Sequence, residues 1–174
     1  MEWTGRRNYE LNSSIILKYV YRLLSLVLAD DAIAVAAANE NDQLAELRSL
    51  FIEEEIVHLL FGTAIANRAH DDHMQGPRQD PNELSFAPVD RSCGEWVRDV
   101  QRPDAQCLTL REACNKIIHA ENIRIETIAR NGRAFEVINP VVYLEGRRGR
   151  TQWSATLDLV QYAQATFENF GDLG

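Results

Sequence analysis

Arg111, Asn115 and His119 form the most suggestive reactive group in the chain. At 100° per residue on a helix they fall, with Asn122 and Glu126, within about 80° of one another. His119 can exchange a proton near neutral pH, Arg111 can hold a phosphate, and Asn115 can orient either partner through its amide. Those are the parts of a metal-free site acting on a phosphodiester. A structural reading stands beside it: a polar stripe flanking an apolar seam also holds neighbouring helices in register.

Arg147, Arg148 and Arg150 make a second group, crowded beside Gly146 and Gly149. Three guanidiniums at a turn can grip nucleic-acid phosphates, with Tyr143 or Trp153 offering a stacking surface, or they form a solvated turn. Glu55 and His58 have the i, i+3 spacing of helical di-metal sites, but the chain has no second Glu-x-x-His, and the residue three before His119 is Lys116. His70-Asp71-Asp72-His73 offers ligand types at a helix end, where polar residues are ordinary. No metal and no cofactor is expected. Cys93, Cys107 and Cys114 are odd in number and wrongly spaced for a disulfide framework or a zinc knuckle, so reduced thiols are expected. No glycine-rich phosphate loop is present, which removes the simplest ATPase and dehydrogenase readings.

The elements that hold these groups follow from periodicity. Ile15, Ile16, Tyr19, Val20, Leu23, Leu24 and Val27 predict a helix from about Asn12 toward Ala38, bending near Asp30-Asp31. It is apolar over much of its circumference, as a central bundle helix would be. A second helix, with Asn41 as N-cap, carries Leu44, Leu47, Phe51, Val57, Leu60, Phe61 and Ile65 to about Ala69, and the short link predicts an antiparallel hairpin. Residues 71–106 hold Pro77, Pro81, Pro88 and Pro103 and read as a long connection, with a short helical turn at Glu95-Trp96-Val97.

The third helix is expected from Leu110 to Arg130, opened by the capping box Thr109-Leu-Arg-Glu112 and stopped at Asn131-Gly132. The period then changes to two. Residues 137–158 predict a β-hairpin with a basic turn, Pro140 at the strand start or an open edge, and Trp153 facing the bundle. A last helix begins near Asp158 and offers Val160, Ala163, Phe167 and Phe170 to a core.

The expected fold is all-α: an up-and-down bundle of about four main helices with a β-hairpin inserted before the last, in one domain spanning 1–174. The 174 residues, 45% hydrophobic and 25% charged, exclude fibrous and wholly disordered classes. The net charge is -8, yet residues 105–151 carry more Lys and Arg than Asp and Glu, so any basic surface lies there. No apolar run is long enough to span a membrane and Met1-Glu2-Trp3 opens no secretory signal, so no membrane contact and a cytoplasmic location are expected.

The stretch Leu-Arg-Glu-Ala-Cys-Asn-Lys-Ile-Ile-His119 on a late helix resembles the HEPN superfamily, small helical bundles that include RNA-cleaving toxins and antiviral effectors. His119 matches the family histidine and Asn115 the polar position after the family arginine. The arginine itself departs: four or six intervening residues would place it at Cys114 or Glu112, and Arg111 leaves seven. On a continuous helix Arg111 and His119 lie about 12 Å apart along the axis. The resemblance implies a homodimer, RNA as substrate or partner, and metal-independent cleavage by His119 with Arg111 and Asn115 in support. It also implies a noncatalytic alternative, an accessory protein of toxin–antitoxin or defence type with an RNA or protein partner. An unrelated structural bundle is the third reading.

Overall fold

A computed structural model describes residues 13–74 and 87–170 of the chain. The order is α1 (Ser13–Ala36), α2 (Gln43–Met74), β1 (Ser92–Val97), β2 (Ala105–Thr109), α3 (Leu110–Ile118), β3 (Asn122–Ile128), β4 (Val137–Arg148), β5 (Thr151–Asp158) and α4 (Leu159–Phe170). The strands form one antiparallel five-stranded sheet in the order β2-β1-β5-β4-β3. Val142, Leu144, Ala155 and Leu157 face the helices and are buried. On the opposite face Glu95, Thr156, Tyr143 and Arg124 form one cross-strand row that no described helix covers.

This mixed helix–sheet architecture overturns the all-α bundle, and the HEPN resemblance falls with it. The interaction-module, endoribonuclease and structural-bundle readings, and the toxin–antitoxin context, all presupposed a helical bundle and fall too. The main error lies after His119. The predicted helix to Arg130 stops at Ile118, and residues 122–128 are β3. Ile123, Ile125 and Thr127 are β-branched at every second position, so they suit a strand at least as well as a helix face. Glu95-Trp96-Val97 likewise lies in a strand, β1, not a helical turn. The expected hairpin exists as β4–β5 but is only the centre of a larger sheet. Pro140 sits in β4 at the irregularity between the Ile125–Val142 and Thr127–Ile138 pairs, where a missing N–H is tolerated.

The caps also differ. Asp42, not Asn41, caps α2: its Oδ1 accepts from the Leu44 N–H at 2.8 Å and its Oδ2 from Ala38 at 3.0 Å. Those two hydrogen bonds hold its carboxyl below the usual range. Thr109 makes no side-chain cap bond, and Glu112 turns to Lys116 instead. Asp158 does cap α4, accepting from Val160 and Gln161 at 2.9 Å. The predicted start at Asn12, and Pro77 and Pro81, lie outside the described residues. No described helix is long and apolar enough to cross a membrane.

One buried carboxylate ties the layers together. Asp30 accepts from Arg48 Nε and Nη2, each at 2.8 Å, and from the Ile138 N–H at 2.8 Å. The neighbouring Asp31 binds Arg133 from the β3–β4 connection at 2.6 and 2.8 Å. A second buried polar set joins α2 to α4: Thr63 with Tyr162 at 3.0 Å, Asn67 with Thr166 at 3.1 Å, and Asn169 with Asn67 at 2.9 Å.

Asp30→Ala leaves the mostly covered Arg48 and the Ile138 N–H without their acceptor, so unfolding in urea should show a loss of about 3–5 kcal/mol. An unchanged midpoint would remove Asp30 from its structural role.

His70 gives a pH test. It is buried with its ring 4.8 Å from that of Phe170, and burial lowers its pKa from 6.5, with Asp71 opposing and His73 adding to the shift. The unfolded chain therefore binds the proton more readily, and stability falls as pH drops through and below 6.5. The lowered carboxyls, such as Asp42 and Asp72, are lost only further down, below their ordinary 3.8. His70→Leu should flatten the urea midpoint between about pH 7.5 and 5.5 relative to the parent.

Candidate anion-binding site

The sheet and α3 meet where β4 turns into β5. Gly146 on β4 pairs with Trp153 on β5. A Cβ on Gly146 would lie 2.4 Å from Trp153 Cζ2 and 2.9 Å from the His119 carbonyl oxygen, so only glycine leaves room for the indole there. Trp96 lies one strand away on the same face, opposite Ala155. α3 crosses above and lowers Lys116 between the two indoles. Its Nζ is 3.7 Å from the Trp96 ring centroid and 4.6 Å from that of Trp153. Glu112, one turn earlier, holds the same ammonium at 3.0 Å. Lys116 is only 9% exposed, and two π faces and one carboxylate stand in for its lost water.

Arg98, Arg148 and Thr151 complete the lining of a cavity of about 280 Å³ over this stack. Among the described residues neither Arg98 nor Arg148 forms an ion pair. The lining thus holds three cations against one carboxylate, Glu112, which is committed to Lys116. No His or Cys lines it. A cavity of about 300 Å³ on the open sheet face differs in kind: its cation, Arg124, lies over Tyr143 and is paired with Glu126.

Of the residues singled out in the sequence, Arg148 lines the basic cavity. Arg147 points to Glu121 at 3.4 Å, and Arg150 is exposed in the turn. Arg111 turns toward α2, where Asp72 holds it at 2.8 Å and Asp71 at 3.4 Å. That hydrogen bond from Arg111 keeps the Asp72 carboxyl below its usual range. His119 is the exposed C-cap of α3, at the far end of a nine-residue helix from Arg111. Asn115 donates to Glu112 at 3.3 Å. The structure therefore does not bring Arg111 and His119 together on one reacting group.

Elsewhere, Glu55 pairs with Arg22, and the His58 ring lies 6.4 Å from Tyr19. Among the described residues no three His, Cys, Asp or Glu side chains are grouped to hold a metal. Burial pushes the Cys93 thiol up to about 12 and raises Cys114 further, so neither offers a thiolate near neutral pH. Cys107 is exposed.

Periodicity alone overlooked Trp96, Arg98 and Lys116. The available signal was Lys116 itself, one charge among Ala113, Cys114 and Ile117 on the inward face of α3, four residues after Glu112. No family model, no curated protein and no solved structure matches this chain. The fold and site define a helix–sheet protein with a basic, tryptophan-walled cavity.

Gly146→Ala should push Trp153 off its seat, cost about 1–3 kcal/mol and alter the near-ultraviolet circular dichroism of the indoles. Parent-like stability and spectrum would show that the Trp153 position does not depend on Gly146.

Proposed function

We propose that this chain is a binding protein for a phosphate-bearing ligand, seated in the cavity between Arg98, Arg148 and Lys116. The observation that carries the reading is the pair of guanidiniums, Arg98 and Arg148, which have no carboxylate partner among the described residues, at a cavity that a buried ammonium also lines. Paired arginines match phosphate oxygens in geometry and charge, and Thr151 adds a hydroxyl donor. Binding rather than turnover follows from the lining: no group there is both free and able to take a proton. Both tryptophan faces are occupied by Lys116, so the ligand is recognised by its anionic group rather than by stacking.

A phosphate can come from a small metabolite or from RNA, whose backbone would then run along the turn past Arg147 and Arg150. Titrating the full chain with pyrophosphate and with a single-stranded RNA oligonucleotide, read by tryptophan fluorescence, separates these sources. At least one should give saturable binding that Arg98→Ala or Arg148→Ala weakens about tenfold or more. Arg147→Ala should matter less, because Glu121 already engages that guanidinium. Tighter binding of RNA that Arg150→Ala reduces assigns a nucleic-acid ligand; pyrophosphate binding indifferent to Arg150 assigns a small one. If neither ligand binds, or both arginine variants bind like the parent, the reading fails.

A further inference from the structure

α1 carries two apolar stripes, and the other described residues cover one. Ile16, Val20, Leu23, Val27 and Ala34 are buried with Asp30 in the chain's own core. Leu17, Tyr21, Leu24, Leu28, Asp31 and Val35 form the other, in alternating steps of four and three, the spacing of a coiled-coil seam. Tyr21, Leu28 and Val35 remain 72%, 61% and 57% exposed, while Leu17, Leu24 and Asp31 are half-buried where the seam borders the core.

We propose that this seam pairs with α1 of a second copy of the chain, antiparallel, about a two-fold axis beside Ser25. In that register every layer is self-complementary: Leu17 meets Val35, Leu24 meets Leu28, and Tyr21 meets Asp31 of the other copy. The one polar layer sets a phenol hydroxyl against a carboxylate that Arg133 and Arg130 already partly neutralise. Lys18 then faces Ala32, and Ser25 faces itself, its hydroxyl already bonded to the Tyr21 carbonyl at 2.8 Å.

Charge selects α1 over the other apolar helix surface. α2 also exposes Leu47, Leu50 and Phe51, but the exposed carboxylates Glu46, Glu53 and Glu54 flank them, with no ion pair among the described residues. On α1 the exposed charges are Lys18 and Arg22 beside the half-buried Asp31, Asp30 being buried against Arg48, so this face is not acidic on a chain of net charge -8. The seam from Leu17 to Val35 is about 27 Å long, which gives an interface smaller than the standard size and a reversible dimer.

Sedimentation equilibrium on the full chain should show a monomer–dimer equilibrium that tightens as added salt screens the repulsion between two acidic copies. Leu28→Glu and Tyr21→Glu, at positions exposed in the monomer, should keep the circular dichroism of the fold and raise the dissociation constant at least about tenfold. Phe51→Glu on α2 should leave it unchanged. In a Cys107→Ser background, Ser25→Cys should cross-link to itself on mild oxidation, and Lys18→Cys should not. A chain monomeric at every concentration, a dimer broken by Phe51→Glu but not by Leu28→Glu, or cross-linking at both cysteine positions would each overturn the proposal.

Discussion

The two layers are locked to each other by a single buried carboxylate. Asp30 belongs to α1, its guanidinium partner Arg48 to α2, and its backbone donor Ile138 to β4, so three elements far apart in sequence share one charge. A bare carboxylate at zero exposure would be prohibitive. Here a two-point contact with Arg48 and one N–H compensate its lost water, and Arg48 itself lies 5.0 Å from the centre of the Phe135 ring. The Ile138 N–H belongs to the stretch of β4 that precedes the β5 pairing, which begins at Val141. Asp30 therefore acts beyond the end of the β4–β5 ladder, where Ile138 has only β3 as its strand neighbour.

Most of the other described cations are likewise committed. Arg133 is held by Asp31, Arg111 by Asp72 and Asp71, and Arg91 by Glu168. Against that pattern, Arg98 and Arg148 stand out because they share a cavity with a third cation. A leucine at position 116 would pack between two indoles without any compensation for a buried charge. Lys116 needs both aromatic faces and Glu112, and what it supplies in return is a positive potential at the cavity floor. An acidic chain that concentrates unneutralised cations in one concave place has a local field opposite to its mean charge.

Much of the helical half was legible in the sequence: α1 begins and ends within a few residues of where periodicity puts it, α2 and α4 begin so, and α2 runs past Ala69 to Met74. The hairpin was legible too, because Val141 to Leu157 alternates cleanly. β1, β2 and β3 were not, for they are short and depend on neighbours brought from elsewhere. Ile125 and Ile128 fit the helical register of Ile117 and Ile118 by coincidence of spacing, so α3 and β3 merged into one expected helix. The site suffered in the same way. Arg148 was visible as part of a basic turn, but Trp96 and Arg98 reach it only through the β1–β5 pairing, which no local pattern announces.

Arg111, read in the sequence as a phosphate ligand, gains a different meaning from this placement. Through Asp71 and Asp72 it fastens the start of α3 to the end of α2, and α2 is fixed to the sheet through Arg48 and Asp30. The same helix α3 places Lys116 between Trp96 and Trp153, with Gly146 clearing the space for the Trp153 indole. Arg111 thus serves the packing of α3 on α2 and does not line the cavity. A nine-residue helix is too short to be stable alone, and α3 is held by the burial of Leu110, Ala113, Cys114 and Ile117, which carries Lys116 inward with them.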